Sequence, residues 1–523
     1  MKTLVKEGFF LQIIQSCCIE GLEVYPINVE VDMENGLPVV MIAGLPNAAV
    51  KESKDRVRSA LKNTGYDFPL KRITINLSPG YTRKDGTHFD LPIALGLLAV
   101  SSQIPPLDNE QTLCLGELSL DGRINGVRGV LPMLLEMRKQ GYRRALIPGD
   151  NLEEGAYVEG MEVLGFEDLQ SLIAYLESGV LPKARCFPQP LEKTGTSPEA
   201  PFQEALDYRD LKGQESLKRA VEIAAGGYHN LLFIGPPGSG KSMAAKRLPS
   251  ILPPLNYDEA MEVTKLYSIS GKLDFRAGLI KKRPFRSPHS SSTVASLSGG
   301  GLIPMPGEIS LAHHGILFLD ELPEFDKGAL EILRQPLEDR KITLSRSHRS
   351  FTYPSNFLFA AAMNPCPCGY YGDPVKNCSC SPRDIHRYRH KISGPLLDRV
   401  DMIIEVPRGE YQDLKSHGPS RDSKTMAKQV GKARRVQEIR YRDQPFKVNG
   451  LLPASLQNQV FTLSKEAEDL LEEAFDKFQL TARGYHKVLK VSRTIADLDA
   501  SSAISPQHIL EALQYRSGSL LNP

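Results

Sequence analysis

The sequence has almost no net charge: 64 Lys and Arg against 62 Asp and Glu leave +2 over 523 residues. That excludes a globally basic nucleic-acid coat, so any grip on phosphate backbones has to come from local clusters. Long apolar runs are missing as well. A membrane helix needs roughly 18 such residues, and the best stretch, Leu91 to Val100, already contains Pro92. The opening MKTLVKEGFFLQIIQSCC imitates a signal peptide only faintly, because Gln12 and Gln15 interrupt it and no small-residue cleavage site follows. It is expected to form an opening strand. Cysteine is scarce, with eight residues in all, which rules out a disulfide scaffold; four of them fall between Cys366 and Cys380, a pattern that points to a metal. Internal repeats and low-complexity tracts are absent. What is present is a globular balance, 41% hydrophobic and 24% charged, with ample core material. The length indicates about two to four domains in a protein expected to be soluble and cytoplasmic.

Five prolines between Leu181 and Pro201 mark the clearest boundary. Proline fixes φ and removes a donor, so neither a helix nor a sheet ladder should persist there, and a linker over 182–206 is expected. Before it, residues 1–181 alternate β-rich segments (Val24 to Val31, Val39 to Ala43, Arg72 to Leu77) with helical ones, Ala48 to Asn63 and a buried apolar helix within Phe89 to Ser101. After it, a helix over Gly213 to Ala225 precedes three short apolar strands, within Leu231 to Gly235, Gly315 to Glu321 and Asn356 to Asn364. Strands alternating with helices predict a parallel sheet covered on both faces. This core spans 207–408 with a Cys-rich insert at 366–380. A basic connecting segment follows over 409–450, and amphipathic helices over 451–523 form a small helical lid.

Gly235, Pro236, Pro237, Gly238, Ser239, Gly240, Lys241 and Ser242 fit G-x-x-x-x-G-K-[ST] between a strand and a helix. The glycines let backbone N–H groups approach a phosphate, Lys241 neutralises β/γ charge, Ser242 offers a hydroxyl to Mg²⁺, and the helix N-terminus adds a positive end. Asp320 and Glu321 close an apolar strand, where one carboxylate can hold Mg²⁺ through water and the other can polarise an attacking water. ATP hydrolysis follows from this pairing. Asn364 ends the next strand, in a place to help orient that water, although a strand-terminal Asn is also a common turn residue. Arg399, within Ser393 to Asp401, is placed either to reach a neighbour's γ-phosphate or to pair with Asp398 or Asp401. Arg483, in the lid, carries a charge that can report whether nucleotide is bound.

Cys366, Cys368, Cys378 and Cys380 give C-x-C-x₉-C-x-C on one loop, which suits tetrahedral Zn²⁺; free thiols in a rigid loop are the rival. Such a clip would hold Asn364 in register. Basic residues are dense in Lys281 to His289, Arg340 to Arg349, Arg383 to Lys391 and Lys428 to Arg442. The second of these reads as strand, turn and strand with FTYP returning, which sets Arg346, His348 and Arg349 at a hairpin tip suited to gripping phosphates without reading bases. Solvated helix faces and ion pairs are the alternative for any single cluster.

Taken in order, the stretches Gly44 to Leu61, Arg72 to Gly80, Lys84 to Ala99, the P-loop, Pro306 to Leu322, Ala361 to Asp373 and Ile392 to Asp401 resemble the AAA+ ATPases of the magnesium-chelatase-like branch, specifically the YifB/ComM family. The resemblance implies a ring, a homo-hexamer, in which Asn364 matches sensor 1, Arg399 the trans-acting finger and Arg483 sensor 2, with Arg493 nearby as the competing position. It implies a Lon-protease-like N-terminal domain. There the serine position falls at about His88, after Lys84-Asp85-Gly86, and Leu131 and Met133 stand where the lysine belongs, so no peptidase activity is expected. The family's ComM-type members are described as DNA helicases promoting branch migration in natural transformation. DNA is the partner that this implies. The competing expectation is a chelatase- or chaperone-type ATPase that remodels a protein or cofactor complex, although nothing in the chain resembles the separate metal- and porphyrin-binding subunits of magnesium chelatase.

Overall fold

The computed structural model describes residues 10–107, 111–180, 185–186, 206–274, 278–301, 304–346, 349–409 and 421–516. The chain divides into two compact units: 1–195 together with 260–280, and 196–259 together with 281–523.

The first unit is built on an eight-stranded mixed sheet. Its order is Arg185–Cys186, Glu162–Phe166, Arg144–Pro148, Thr112–Cys114, Phe10–Glu20, Glu23–Glu34, Arg72–Ser78 and Val39–Ala43. The opening strand and its hairpin partner run antiparallel from Phe10↔Met33 to Glu20↔Glu23. Alternation sets the faces of strand Arg72–Ser78, where Ile73, Ile75 and Leu77 are buried while the residues between them are not. Helix Ala48–Asn63 starts where Asn47 accepts a hydrogen bond from the Val50 amide, and it buries Val50, Val57, Ala60 and Leu61. Helix Asp90–Val100 is buried along its whole length. Gly96 lets it lie against the sheet, since a Cβ there would come within 2.6 Å of Val31. The proline-rich stretch departs from expectation in one respect: Arg185 and Cys186 pair antiparallel with Leu164 and Val163 as an edge strand, a place where neighbouring prolines do no harm.

The second unit holds a five-stranded sheet, ordered Phe285–Arg286, Ile316–Leu319, Leu358–Met363, Leu231–Ile234 and Met402–Glu405. Every neighbouring pair is parallel. The expected mixed α/β architecture with a parallel sheet is therefore present. The strands Ile316–Leu319, Leu358–Met363 and Leu231–Ile234 are buried at every position, as apolar runs covered on both faces should be. Because all five run the same way, their carboxyl ends share one edge, where Gly235, Asp320 and Asn364 emerge. Helices Glu215–Gly227, Ser423–Arg440 and Ala482–Leu498 pack together in one core with the sheet. The segment 409–450, expected only as a basic connection, contains the 18-residue helix Ser423–Arg440, whose Met426, Val430 and Ala433 are buried. Helices Ala454–Val460, Lys465–Lys477, Ala482–Leu498 and Pro506–Gln514 follow. Lys341–Arg346 and Arg349–Pro354 form the expected antiparallel hairpin, closed by the pair Arg346↔Arg349. His348, expected at its tip, lies outside the described residues.

Candidate functional site

The loop after strand Leu231–Ile234 is shaped by its glycines. A Cβ at Gly235 would lie 2.2 Å from the Val406 carbonyl oxygen, and Gly238 and Gly240 have φ of +76° and +94°. Lys241 opens the next helix, Lys241–Arg247, and folds back on its own loop. Its Nζ donates to the carbonyls of Gly235 (2.7 Å) and Pro236 (2.8 Å) and lies 3.4 Å from Asn364 Oδ1. Burial pulls the Lys241 ammonium down to about 8, opposed by the charge of Asp320. Ser242 Oγ donates to Asp320 Oδ2 at 2.6 Å, and the buried Ser239 hydroxyl has no partner. Glu321 is exposed and held at φ +51°, a left-handed conformation that a non-glycine residue adopts at a cost. Its amide donates to Asp320 Oδ1. The structure thus gathers Gly235 to Ser242, Asp320, Glu321 and Asn364 at the open edge of one sheet.

Arg399 belongs to a different group. It pairs with neither Asp398 nor Asp401: its guanidinium binds Glu338 and donates to the Pro395 carbonyl at 2.7 Å. Arg483 lies 4.0 Å from the same Glu338 carboxylate. Arg493 is 2% exposed and committed to Asp497 and to the Ser501 and Ser502 carbonyls, so its charge is internal. The segment bearing Arg399 is fixed from behind. Lys487 donates to the carbonyls of Asp398 and Val400, and Arg516 to that of Val400. Asn230 is a junction that sequence reasoning missed. Its Nδ2 donates to the Arg399 carbonyl at 3.0 Å, its Oδ1 accepts from Phe359 at 3.1 Å, and its amide donates to Asp401 Oδ2 at 2.8 Å. It therefore ties the strand before the P-loop to the strand leading to Asn364 and to the Arg399 segment. Its only signal is an amide immediately before an apolar strand.

The four cysteines converge. Their Sγ atoms all lie within 4.8 Å of one another, with three separations of 3.4, 3.6 and 3.6 Å. Backbone N–H groups of Tyr370 and Ser379 bring the Cys368 thiol down to about 6, whereas desolvation raises Cys378 and Cys380. The loop leans on the phosphate loop, since a Cβ at Gly369 would approach the Pro237 ring to 2.7 Å. Arg389 braces it, donating to the Pro365 carbonyl and lying 4.9 Å over the Tyr371 ring.

Part of each of two cationic clusters is spent internally. Arg283 donates to the carbonyls of Pro253 and His314 and pairs with Glu259, and Arg286 forms a two-pronged pair with Glu308. Arg434 is drawn down to about 10 by burial and donates to the Ala225 carbonyl, while Arg440 pairs with Asp497. The hairpin Lys341–Pro354 is the basic element whose two strands form a sheet of their own.

In the first unit, the positions that would carry acyl transfer are apolar or sealed. Leu131 and Met133 are buried, and His88 is buried with Nε2 2.9 Å from the Cys17 carbonyl and driven down to about 4 by burial. Lys84 is fully buried and donates to the Pro79 carbonyl.

Comparison with known proteins agrees with this geometry. Residues 207–414 match the model "Magnesium chelatase, subunit ChlI", residues 29–151 match "Subunit ChlI of Mg-chelatase", and residues 420–516 match "Magnesium chelatase, subunit ChlI C-terminal". YifB of Salmonella typhimurium is 41% identical over 508 residues, 97% of both chains. Competence protein ComM of Haemophilus influenzae is 40% identical over 509 residues, again 97% of both. A weaker, local similarity joins the chain to Lon protease 2 of Bacillus subtilis, 29% identical over 157 residues and 27% of each chain. With such identity over nearly its full length, this chain belongs to the YifB/ComM family of magnesium-chelatase-like proteins.

Proposed function

We propose that the chain is an ATP-hydrolysing motor of the AAA+ kind that assembles into a ring, a homo-hexamer, and acts on DNA. One observation carries the ATPase reading: Lys241, Ser242, Asp320, Glu321 and Asn364 meet at the carboxyl edge of a single parallel sheet. The residues fit Mg·ATP. A Gly235 with no room for a Cβ, the left-handed Gly238 and Gly240, the unpartnered Ser239 hydroxyl and an adjacent hydroxyl and carboxylate make a cradle for phosphate beside oxygen ligands for a hard cation. Mg²⁺, held by Ser242 and Asp320, would neutralise phosphate charge. Lys241 exchanges the carbonyls of Gly235 and Pro236 for phosphate oxygens, Glu321 accepts a proton from water, and Asn364 orients that water. Arg399 of the adjacent protomer stabilises charge on the transferring group, with Arg483 beside it.

Zinc fits the four thiols: tetrahedral coordination at about 2.3 Å places sulfurs about 3.8 Å apart, close to the separations described. A metal there would brace Asn364 against the phosphate loop. The hairpin Lys341–Pro354, with Arg346 and Arg349 pairing beside its turn, would grip a phosphate backbone in the ring's pore, a role that the sequence also suggests for His348. A competence protein among the relatives supports a role in DNA uptake, with branch migration as the activity proposed for it. The first unit, with Leu131, Met133 and His88 buried, would be a binding module without peptidase activity. A second reading, remodelling of a protein or cofactor complex, draws support from the cations that internal pairs consume, Arg283, Arg286, Arg434 and Arg440.

The deciding measurement is ATP turnover with and without four-way DNA. Stimulation that fades with salt supports the DNA motor. Turnover indifferent to every DNA form leaves the remodelling ATPase in its place.

A further inference from the structure

Two guanidiniums from separate parts of the second unit meet at one carboxylate. Glu338, on helix Arg334–Asp339, binds Arg399, and Arg483 lies 4.0 Å from its other oxygen. Arg399 is only 13% exposed on its side chain and its Nε–H is buried without an acceptor, whereas Glu338 is 56% exposed. The backbone around Arg399 is clamped by Asn230, Lys487 and Arg516. The guanidinium heads are therefore the part free to change partner. Two like charges brought together repel, and a carboxylate between them offsets that repulsion. An exposed carboxylate is nonetheless a weak anchor in water, while a phosphate offers more charge and more acceptor oxygens to the same paired donors.

Building on the intersubunit ATPase reading, we propose that Glu338 is a resident counter-anion for Arg399 and Arg483. It holds the two guanidiniums together on the face that one protomer offers the next, and the terminal phosphate of the neighbour's nucleotide takes its place. Glu338 is thus a positioning residue that competes with substrate phosphate. The same carboxylate sits just before strand Lys341–Arg346, so its release is felt at the root of the basic hairpin.

The test uses full-length protein and Glu338→Gln, an isosteric change at a largely exposed position that leaves the thermal midpoint unchanged. ATP turnover is measured against ATP and against protomer concentration, and assembly with the non-hydrolysable analogue AMP-PNP is followed by sedimentation. Glu338→Gln is expected to lower the KM and the half-maximal assembly concentration about three- to ten-fold, with kcat within about two-fold. In an Arg399→Ala/Arg483→Ala background the same substitution is expected to leave AMP-PNP-driven assembly unmoved. An unchanged or raised KM overturns the proposal, as does an equal shift in assembly when both arginines are absent. A wild-type chain that assembles and hydrolyses while Glu338→Gln behaves identically sinks the counter-anion alone. A wild-type chain that neither binds the analogue nor assembles sinks the intersubunit ATPase and this inference together.

Discussion

Both units surround a sheet and both gather titratable side chains near strand ends, but they finish them differently. In the first unit these groups are closed off. Lys84 is bonded to the Pro79 carbonyl, His88 to the Cys17 carbonyl, Asp90 to Arg56, and Glu154 to Asn151 and Ser268. In the second, the carboxyl edge keeps unfinished business, a strained, exposed Glu321 and an unpartnered Ser239 hydroxyl, and so does the turn before strand Met402–Glu405, with an unpartnered Arg399 Nε. Buried polar groups that satisfy each other stabilise a fold. Groups left unsatisfied at an open edge are set for a ligand. Unpartnered buried atoms occur in the first unit too, at Ser16 and Asp85; what marks the site is incomplete pairing beside a phosphate loop at an open sheet edge.

The sharpest way to break this contrast is to disable the open edge. Glu321→Gln and Lys241→Ala are each expected to reduce ATP turnover by about 10² to 10⁴, read by phosphate release, while thermal unfolding of the first unit is unaltered. Next comes Lys84→Ala on the closed side. It removes a fully buried chain and orphans the Pro79 carbonyl, at a cost of about 2–4 kcal/mol in stability. Chemical denaturation reads that loss, and kcat per folded chain should stay within about two-fold. A drop in kcat matching that of Glu321→Gln would erase the distinction between the units.

The thiol loop lies between these cases. About one zinc per chain is expected by elemental analysis, and Cys378→Ser/Cys380→Ser should lose the metal and reduce turnover about ten-fold by loosening the support of Asn364. Metal content well under half an equivalent would remove that bridge. The smallest effect concerns pH. With Lys241 brought down to about 8 in the free protein, bound phosphate restores its proton. Affinity for ATP is therefore level below pH 8 and falls as pH rises above it, at most about ten-fold per unit. Calorimetry in buffers of different ionisation enthalpy should show proton uptake on binding between pH 8 and 9, and proton release there would contradict the assignment.

Much of this was readable in the chain itself. The strands ending at Gly235, Asp320 and Asn364 are short apolar runs bounded by polar residues, so local pattern and position coincide. The helix Ala48–Asn63 follows its apolar spacing and a capping Asn. Partners were another matter. Arg399 was weighed against its sequence neighbours Asp398 and Asp401, but it reaches Glu338 on a different helix, because ion pairing is decided by tertiary approach. The cluster from Lys428 to Arg442 reads either as a grip for phosphates or as a solvated helix face, and the fold divides it: Lys428, Lys432, Arg435 and Arg442 are exposed while Arg434 and Arg440 turn inward. A long side chain with an aliphatic stem can turn inward when a carbonyl or carboxylate waits at its end, as for Arg434 and Arg440. Composition cannot distinguish that from an exposed cation.

The amide of Asn230 has a mechanical corollary. One small residue rivets the strand that leads to the phosphate loop, the root of the Asn364 strand and the arginine-bearing turn, its side chain bonding Phe359 and the Arg399 carbonyl and its backbone N–H the Asp401 carboxylate. A shift at any of the three is inherited by the other two at once, with no slack to absorb it. In the ring proposed above, a protomer built this way would work as a crank, passing what happens at its own nucleotide to its neighbour.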